Sequence, residues 1–178
     1  MKKLKNLIFA TATLAGIMFS NSKVQAQTPK LNDAEIASVA VTANQIDVHY
    51  AELALKKSKD VKVREFATTM KNDHNGVIKS AVALATKLKV TPKDNAVSQS
   101  LNKQAGATEK MLNGKTGKAF DKAYVDNEVA YHKAVIDAVE KVLIPQTQNP
   151  ELKKLLEGVL PVLKTHLAHA EMLQKQFK

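Results

Sequence analysis

The chain has 178 residues, with 27 basic and 17 acidic side chains and neither cysteine nor tryptophan. The lack of cysteine excludes thiolate zinc sites, iron–sulfur clusters and thiol catalysis. A metal could therefore be bound only through histidine, carboxylate or methionine side chains.

The N-terminus has the three parts of a secretory signal peptide. Three lysines within the first five residues precede an uncharged apolar stretch, 7–19, and a Val-Gln-Ala sequence ends at Ala26. The apolar stretch is shorter than the roughly 20 residues that a membrane-spanning helix needs. We predict a signal peptide over residues 1–26. The mature chain would start near Gln27, without a transmembrane segment, and be periplasmic or secreted.

The charge of the mature chain is smaller than that of the whole sequence. Four lysines leave with the signal peptide, so a net charge of +10 becomes +6 over the remaining 152 residues. Arg64 is the single arginine in that mature chain. Proteins that read nucleic acids rely on arginine and on aromatic side chains for stacking. We therefore expect no nucleic-acid partner, and only weak contact with an anionic envelope surface.

Four long segments carry apolar residues at helical spacing, and no segment alternates like a strand. They cover residues 32–57, 61–89, 118–143 and 151–177. Short turns join the first to the second and the third to the fourth, so each pair is predicted to form an antiparallel hairpin. The long connection, 90–117, carries a short predicted helix over 98–112. The sequence therefore predicts a single all-α domain, residues 27–178, built as a four-helix bundle.

One ionisable side chain lies on the apolar stripe of each long helix. These side chains are Asp47, His74, His132 and His166. Asp47 and His74 are equidistant from the first turn, and His132 and His166 are equidistant from the second. At 1.5 Å per residue, the two pairs lie about 18 and 22 Å from their turns, near the middle of each helix. All four side chains are therefore expected in one layer of the core.

Three more candidate ligands lie within one helical turn of this layer: Asp73, Glu128 and His169. Imidazole and carboxylate groups inside a helical bundle are typical of sites for iron, manganese, zinc or copper. Met70, one turn from His74, is interpreted as a core residue, although a thioether would favour copper. A metal site requires the three ring nitrogens to converge within about 5 Å, with a carboxylate facing them.

A metal-free interpretation stays open beside this one. A buried hydrogen-bond network with Tyr50, Tyr124 and Tyr131 would satisfy the same groups, in a non-catalytic envelope stress or interaction domain. His49 shares a face with polar residues and is predicted to be exposed. An enzyme is the less favoured class, because the sequence has no nucleophile elbow and no glycine-rich phosphate loop.

Several motifs together resemble domain-of-unknown-function family 4142. They are Leu53-Ala-Leu, Val63-x-x-Phe-Ala-x-x-Met70-x-x-Asp73-His74, Phe120-Asp121-x-x-Tyr124, His132 and Leu160-Pro161-x-Leu163-x-x-His166. The likeness covers about residues 32–174. It implies an exported, largely bacterial protein with a ferritin-like bundle, and it implies no established activity. The family usually carries glutamate where this chain has Asp47.

Overall fold

The computed structural model describes residues 29–177, so the predicted signal peptide lies outside the described residues. All regular structure within that range is helical, which confirms the predicted all-α class. The helices are α1 (Asp33–Lys57), α2 (Val61–Leu88), α3 (Ala96–Asn113), α4 (Gly117–Ala138), α5 (Ile144–Gln146) and α6 (Pro150–Gln174). A π-helical turn, Val139–Leu143, joins α4 to α5, and a 3-10 turn, Lys175–Phe177, follows α6. None of the helices between residues 29 and 177 has the length and apolar character needed to span a bilayer.

Side-chain caps explain where the long helices begin. Asn32 and Glu35 form a capping box at the start of α1, each accepting a hydrogen bond from the other's backbone N–H. Asp60 caps α2. Asn149 caps α6, with Pro150 at the first helical position, where a missing N–H costs nothing. These caps confine the turns between paired helices to a few residues.

The four long helices pack lengthwise. α1 pairs with α2 and α4 with α6, α2 also lies against α6 and α1 against α4, and α3 covers part of α1. The apolar core has two parts. The first core cluster, near the α1–α2 turn, includes Tyr50, Phe66, Met70, Phe120 and Tyr124. The second core cluster, at the opposite end, includes Ile36, Val39, Leu143, Leu156 and Leu163. The four ionisable residues of the helix stripes lie where the helices pass from one cluster to the other.

The role of side-chain caps in stabilising the helix ends can be tested at the start of α6. The Asn149 side chain accepts hydrogen bonds from Glu151 N at 2.9 Å and Leu152 N at 3.0 Å. Asn149→Ala should lower the free energy of unfolding by about 1 kcal/mol, measured by urea denaturation. Asn72→Ala, at an exposed position inside α2, is the matched control and should be neutral or slightly stabilising. Equal losses in the two variants would contradict the capping role.

Candidate metal centre

Four side chains, one from each long helix, form what we call the polar layer: Asp47, His74, His132 and His166. Each is at most 3% exposed. Since α1 and α2 run antiparallel from a short turn, residues equally far from that turn lie side by side, and the same holds for α4 and α6. The layer is therefore built by the register of the two hairpins.

The three imidazole rings of the polar layer face one another. Their centroids are 5.7 Å apart for His74 and His132, 5.2 Å for His74 and His166, and 5.6 Å for His132 and His166. One nitrogen from each ring lies within 4.8 Å of the other two. The rings thus show the convergence that a metal site requires.

A hydrogen bond to Asn44 sets the tautomer of His74. His74 Nδ1 lies 2.7 Å from Asn44 Oδ1. The amide orientation of Asn44 is set in turn, because its Nδ2 donates to the carbonyl of Ala40 at 2.8 Å. The amide oxygen can only accept, so His74 Nδ1 carries the proton. The lone pair is then on Nε2, which points into the layer.

The other two histidines are held in the same way. His132 Nδ1 donates to the backbone carbonyl of Glu128 at 3.0 Å. His166 Nε2 donates to the Asp73 carboxylate at 2.9 Å. Both acceptors lack a proton to give, so the free lone pairs are on His132 Nε2 and His166 Nδ1. Ligand histidines in metal proteins are commonly oriented by such an outer hydrogen bond.

The inward nitrogens of all three histidines, and both oxygens of Asp47, have no hydrogen-bond partner among the described residues. Buried polar atoms are nearly always hydrogen-bonded, and leaving one unpaired costs about 1–3 kcal/mol. A cluster of such atoms with aligned lone pairs is what a cation would stabilise. The donor atoms of the polar layer are imidazole nitrogens and carboxyl oxygens, a combination that suits zinc, copper or iron.

Asp47 is separated from two of the rings by about the distance expected between two ligand atoms of one metal ion. Its Oδ2 lies 3.4 Å from His74 Nε2 and 3.6 Å from His132 Nε2. Both separations exceed a normal hydrogen bond. Two ligand atoms that each lie about 2.1 Å from one ion are about 3.4 Å apart at the tetrahedral angle. Asp47 therefore reaches the layer although its side chain is shorter than the glutamate expected here from the family resemblance.

Burial favours the uncharged form of each group in the polar layer. It lowers the pKa of His74 to about 3 and that of His132 to about 4, with further lowering by neighbouring histidines, and it lowers the pKa of His166. Burial raises the pKa of Asp47 to about 8. These shifts favour the neutral forms of Asp47 and His74 over an ion pair. The imidazoles are ready to coordinate, whereas the carboxyl must lose a proton first.

A second carboxyl, Glu128, lies beside this cluster and is fully buried. Burial, and then the charge of Asp47, raise its pKa well above the ordinary value. One oxygen each from Asp47 and Glu128 lies within 4.8 Å of a nitrogen of His132. His132 has one lone pair to offer, since its Nδ1 is protonated. Glu128 Oε2 lies 3.6 Å from His132 Nδ1, the protonated nitrogen, so Glu128 lies beside the layer rather than opposite the lone pair that points into it.

Two further sequence-predicted ligands, Asp73 and His169, also lie outside the polar layer. Asp73 has a side chain that is 45% exposed and reaches His166 from the outer side, so it positions the ring. His169 is exposed, and its ring packs edge-on against Phe66 with centroids 5.0 Å apart. His169 is displaced because it lies nearly one turn beyond His166 along α6. Asn44 was not predicted from the sequence, although its place one turn before Asp47 on α1 could have indicated it.

The tyrosines do not complete a hydrogen-bond network. Tyr131 donates to the backbone carbonyl of Ala43 at 2.9 Å, away from the histidines. The buried Tyr124 hydroxyl has no partner among residues 29–177. Tyr50 packs edge-on against Tyr131, with ring centroids 5.7 Å apart. Met70 is buried in the first core cluster, as interpreted from the sequence, and His49 is exposed beside Glu109.

Fold and site together define an all-helical protein with a buried cluster of histidines and carboxyls. The chain belongs to the family described as "Domain of unknown function (DUF4142)", which matches residues 20–173 and confirms the resemblance. A comparison with curated proteins gives no match. A solved structure, "CopM in the Cu(II)-bound form", is similar, with a TM-score of 0.64 and 13% identity over 84% of this chain and 100% of that chain. At that identity the likeness shows a shared fold alone.

The buried groups give stability two opposing pH dependences. Asp47 holds its proton more tightly when folded, since its pKa rises from 3.8 to about 8. The stability it contributes is complete below pH 3.8 and is lost as the pH rises towards about 8. His74 and His132 have folded pKa values below their usual 6.5, so stability falls as the pH drops from 6.5 towards 4 and 3.

Asp47→Asn should therefore weaken the alkaline loss of stability in the metal-free protein. Between pH 6.5 and 8, the slope should decrease by up to about 1.4 kcal/mol per pH unit, the value for one proton. Urea denaturation with a chelator present measures it. Asp137→Asn, at an exposed residue, is the control and should keep the wild-type slope. An unchanged slope in Asp47→Asn would show that Asp47 is ionised in the folded protein.

Proposed function

We propose that this chain is an exported ferritin-like four-helix bundle that holds one transition-metal ion in its core. His74, His132, His166 and Asp47 would be the ligands. The observation that carries this proposal is the convergence of three buried imidazole nitrogens within 4.8 Å of one another. Each of these rings has its other nitrogen tied as a donor, so its lone pair is directed into the layer.

Copper(II) is the ion that we propose binds most tightly. A site of nitrogen and oxygen donors generally follows the Irving–Williams order, in which copper(II) exceeds the other divalent first-row ions. The similar CopM structure is a copper(II)-bound form of that protein, which makes copper the first ion to test here. Zinc, iron and manganese are the competitors.

Binding of a metal would cost the protein one proton rather than several. The lowered pKa values of His74 and His132 leave these imidazoles neutral at pH 7. The Asp47 carboxyl, with a pKa of about 8, would release its proton to the solvent, so affinity should rise with pH up to that value. Four protein ligands around one ion resemble a holding site, since catalytic sites keep an open position. Storage, sensing or protection from oxidants by sequestering metal fits this arrangement better than catalysis.

The metal-free alternative, an envelope stress or interaction domain, is less well supported. It requires the buried groups to satisfy one another by hydrogen bonds. The inward atoms of His74, His132, His166 and Asp47 instead lack partners among the described residues. Export, weak contact with an anionic envelope surface and the absence of a nucleic-acid partner remain predictions from the sequence.

Metal analysis of the mature chain tests the proposal. Protein starting at Gln27, stripped of metal and incubated separately with copper(II), zinc, iron or manganese, should retain one ion per chain after gel filtration, with copper the tightest. His166→Ala should weaken binding by more than about 100-fold, because it removes a direct ligand. His169→Ala, on the same helix but outside the layer, should bind like the wild type.

Two outcomes would contradict this proposal. Less than half an ion per chain with every metal would leave the layer without a cation. A melting temperature unaffected by saturating copper would be equally damaging, because a ligand that binds only the folded state must raise it. Either result would favour the hydrogen-bonded alternative.

Asn44 provides a test of the outer hydrogen bonds. Asn44→Ala frees the His74 ring to change tautomer or orientation, and metal affinity should fall by about 10- to 100-fold while the stoichiometry stays at one. Competition with a chromophoric chelator measures the affinity. Gln45→Ala, at the exposed neighbouring position, should have no effect. If both variants bind like the wild type, the bond to Asn44 does not orient His74.

A further inference from the structure

A long apolar cavity of about 230 Å³ runs from the polar layer towards the α4–α6 turn. Its wall includes α1 from Asp33 to Asp47 and α2 from His74 to Leu88. Each of these stretches spans 14 helical steps, or about 21 Å at 1.5 Å per residue. The π-helical turn after α4 contributes Val139 and Leu143 to the opposite side. A π-helical turn of this kind is often found at a functional site.

Along the second half of α2, the cavity is not filled by side chains of the protein. The buried residues of α2 are confined to its first half and end at His74. Beyond that point the helix still carries an apolar stripe, and every residue of the stripe lines the cavity: Val77, Ile78, Ala81, Leu84, Ala85 and Leu88. All six are only half-buried. The stripe has the pattern of a core-facing helix, yet it faces the cavity, with Leu84 also packing against the second core cluster.

The inner end of the cavity is polar. Asp47, His74 and His132 line it, and each is at least 97% buried. Asp47 Oδ1 has no hydrogen-bond partner among the described residues, and it is distinct from Oδ2, which lies closest to the rings. A mostly apolar cavity with a few converging polar groups at one end is typical of a small-molecule site.

We propose that this cavity binds an unbranched aliphatic molecule that ends in one uncharged oxygen group, a hydroxyl or a carbonyl. The oxygen lies at the polar layer beside Asp47, and the chain runs along the α2 stripe towards Asn149. A volume of this size spread over such a length fits a chain better than a compact ring system. A charged head group is disfavoured in the metal-free protein, because its burial beside Asp47 would lack a compensating cation. The inference goes beyond the proposed metal site and does not need the ion.

Titration of the mature protein with 1-octanol tests this inference. In ¹H–¹⁵N spectra of the metal-free and zinc-loaded chain, the shifts should be saturable and confined to the cavity wall. The terminal methyl of octanol should show nuclear Overhauser contacts with Ala81 and Leu84, which line the cavity at the reach of an eight-carbon chain, and the carbon bearing the hydroxyl should show them with residues around Asp47. In the metal-free chain, octanoate at pH 7.5 should bind at least about tenfold more weakly than octanol.

Two alanines on α2 give a matched pair of variants. Ala81 lines the cavity, whereas Ala83 is exposed and does not. Ala81→Phe should weaken octanol binding by at least about tenfold, because the ring occupies the space of the chain. Ala83→Phe should leave octanol binding unchanged. Should Ala81→Phe not fold, the Overhauser contacts of the wild type still decide the question.

His166→Ala separates this inference from the proposed function. His166 is a proposed metal ligand that does not line the cavity, so the variant should lose the metal and keep octanol. The inference would be overturned by octanol shifts spread over the surface, by missing contacts with the α2 stripe, or by equal binding to Ala81→Phe. Tighter binding of octanoate to the metal-free chain would also overturn it, since it would place a charged head group elsewhere.

Discussion

The fold of this protein is organised around the burial of four ionisable side chains at one height. Asp47, His74, His132 and His166 are each at least 97% buried, and taking charged groups out of water costs several kcal/mol apiece. Burial limits that cost by favouring the neutral form of every group, through lowered histidine pKa values and a raised pKa for Asp47. Neutral groups with unpaired lone pairs still lack partners, and a divalent ion would supply the missing interaction.

Much of this layer follows from the sequence because position along a helix is proportional to residue number. Residues equidistant from a short turn must lie level, so the closeness of Asp47 to His74, at 3.4 Å, is foreseeable from their numbering alone. The helix ends are equally local, since Asn32, Asp60 and Asn149 cap their own chain segments. The cross-packing of the two hairpins depends on the whole core, and the sequence pattern left their relative direction open.

Features that depend on side-chain rotation were beyond the sequence pattern. Asp47 and Asp73 are both placed at or near the level of the layer by the sequence. Only Asp47 points inward, whereas Asp73 contacts His166 from the outer side. His169 differs from His166 by three residues, which is enough to place its ring against Phe66. The position of Asn44 on α1 follows from the sequence, but its role does not, because it acts through the tautomer of another residue. A residue's distance from the layer was predictable; its direction was not.

The polar layer also divides a well-packed part of the molecule from a loosely packed one. On one side lie the large aromatic residues of the first core cluster, among them Phe66, Phe120 and Tyr124, all fully buried. On the other side α2 presents small and aliphatic residues that leave the long cavity open to the layer. Tight packing fixes the histidine-bearing helices from one end, so the other end can stay open without loosening the ring geometry. Histidine rings held by outer hydrogen bonds tolerate such an opening, because Asn44, Glu128 and Asp73 orient the rings independently of the apolar wall.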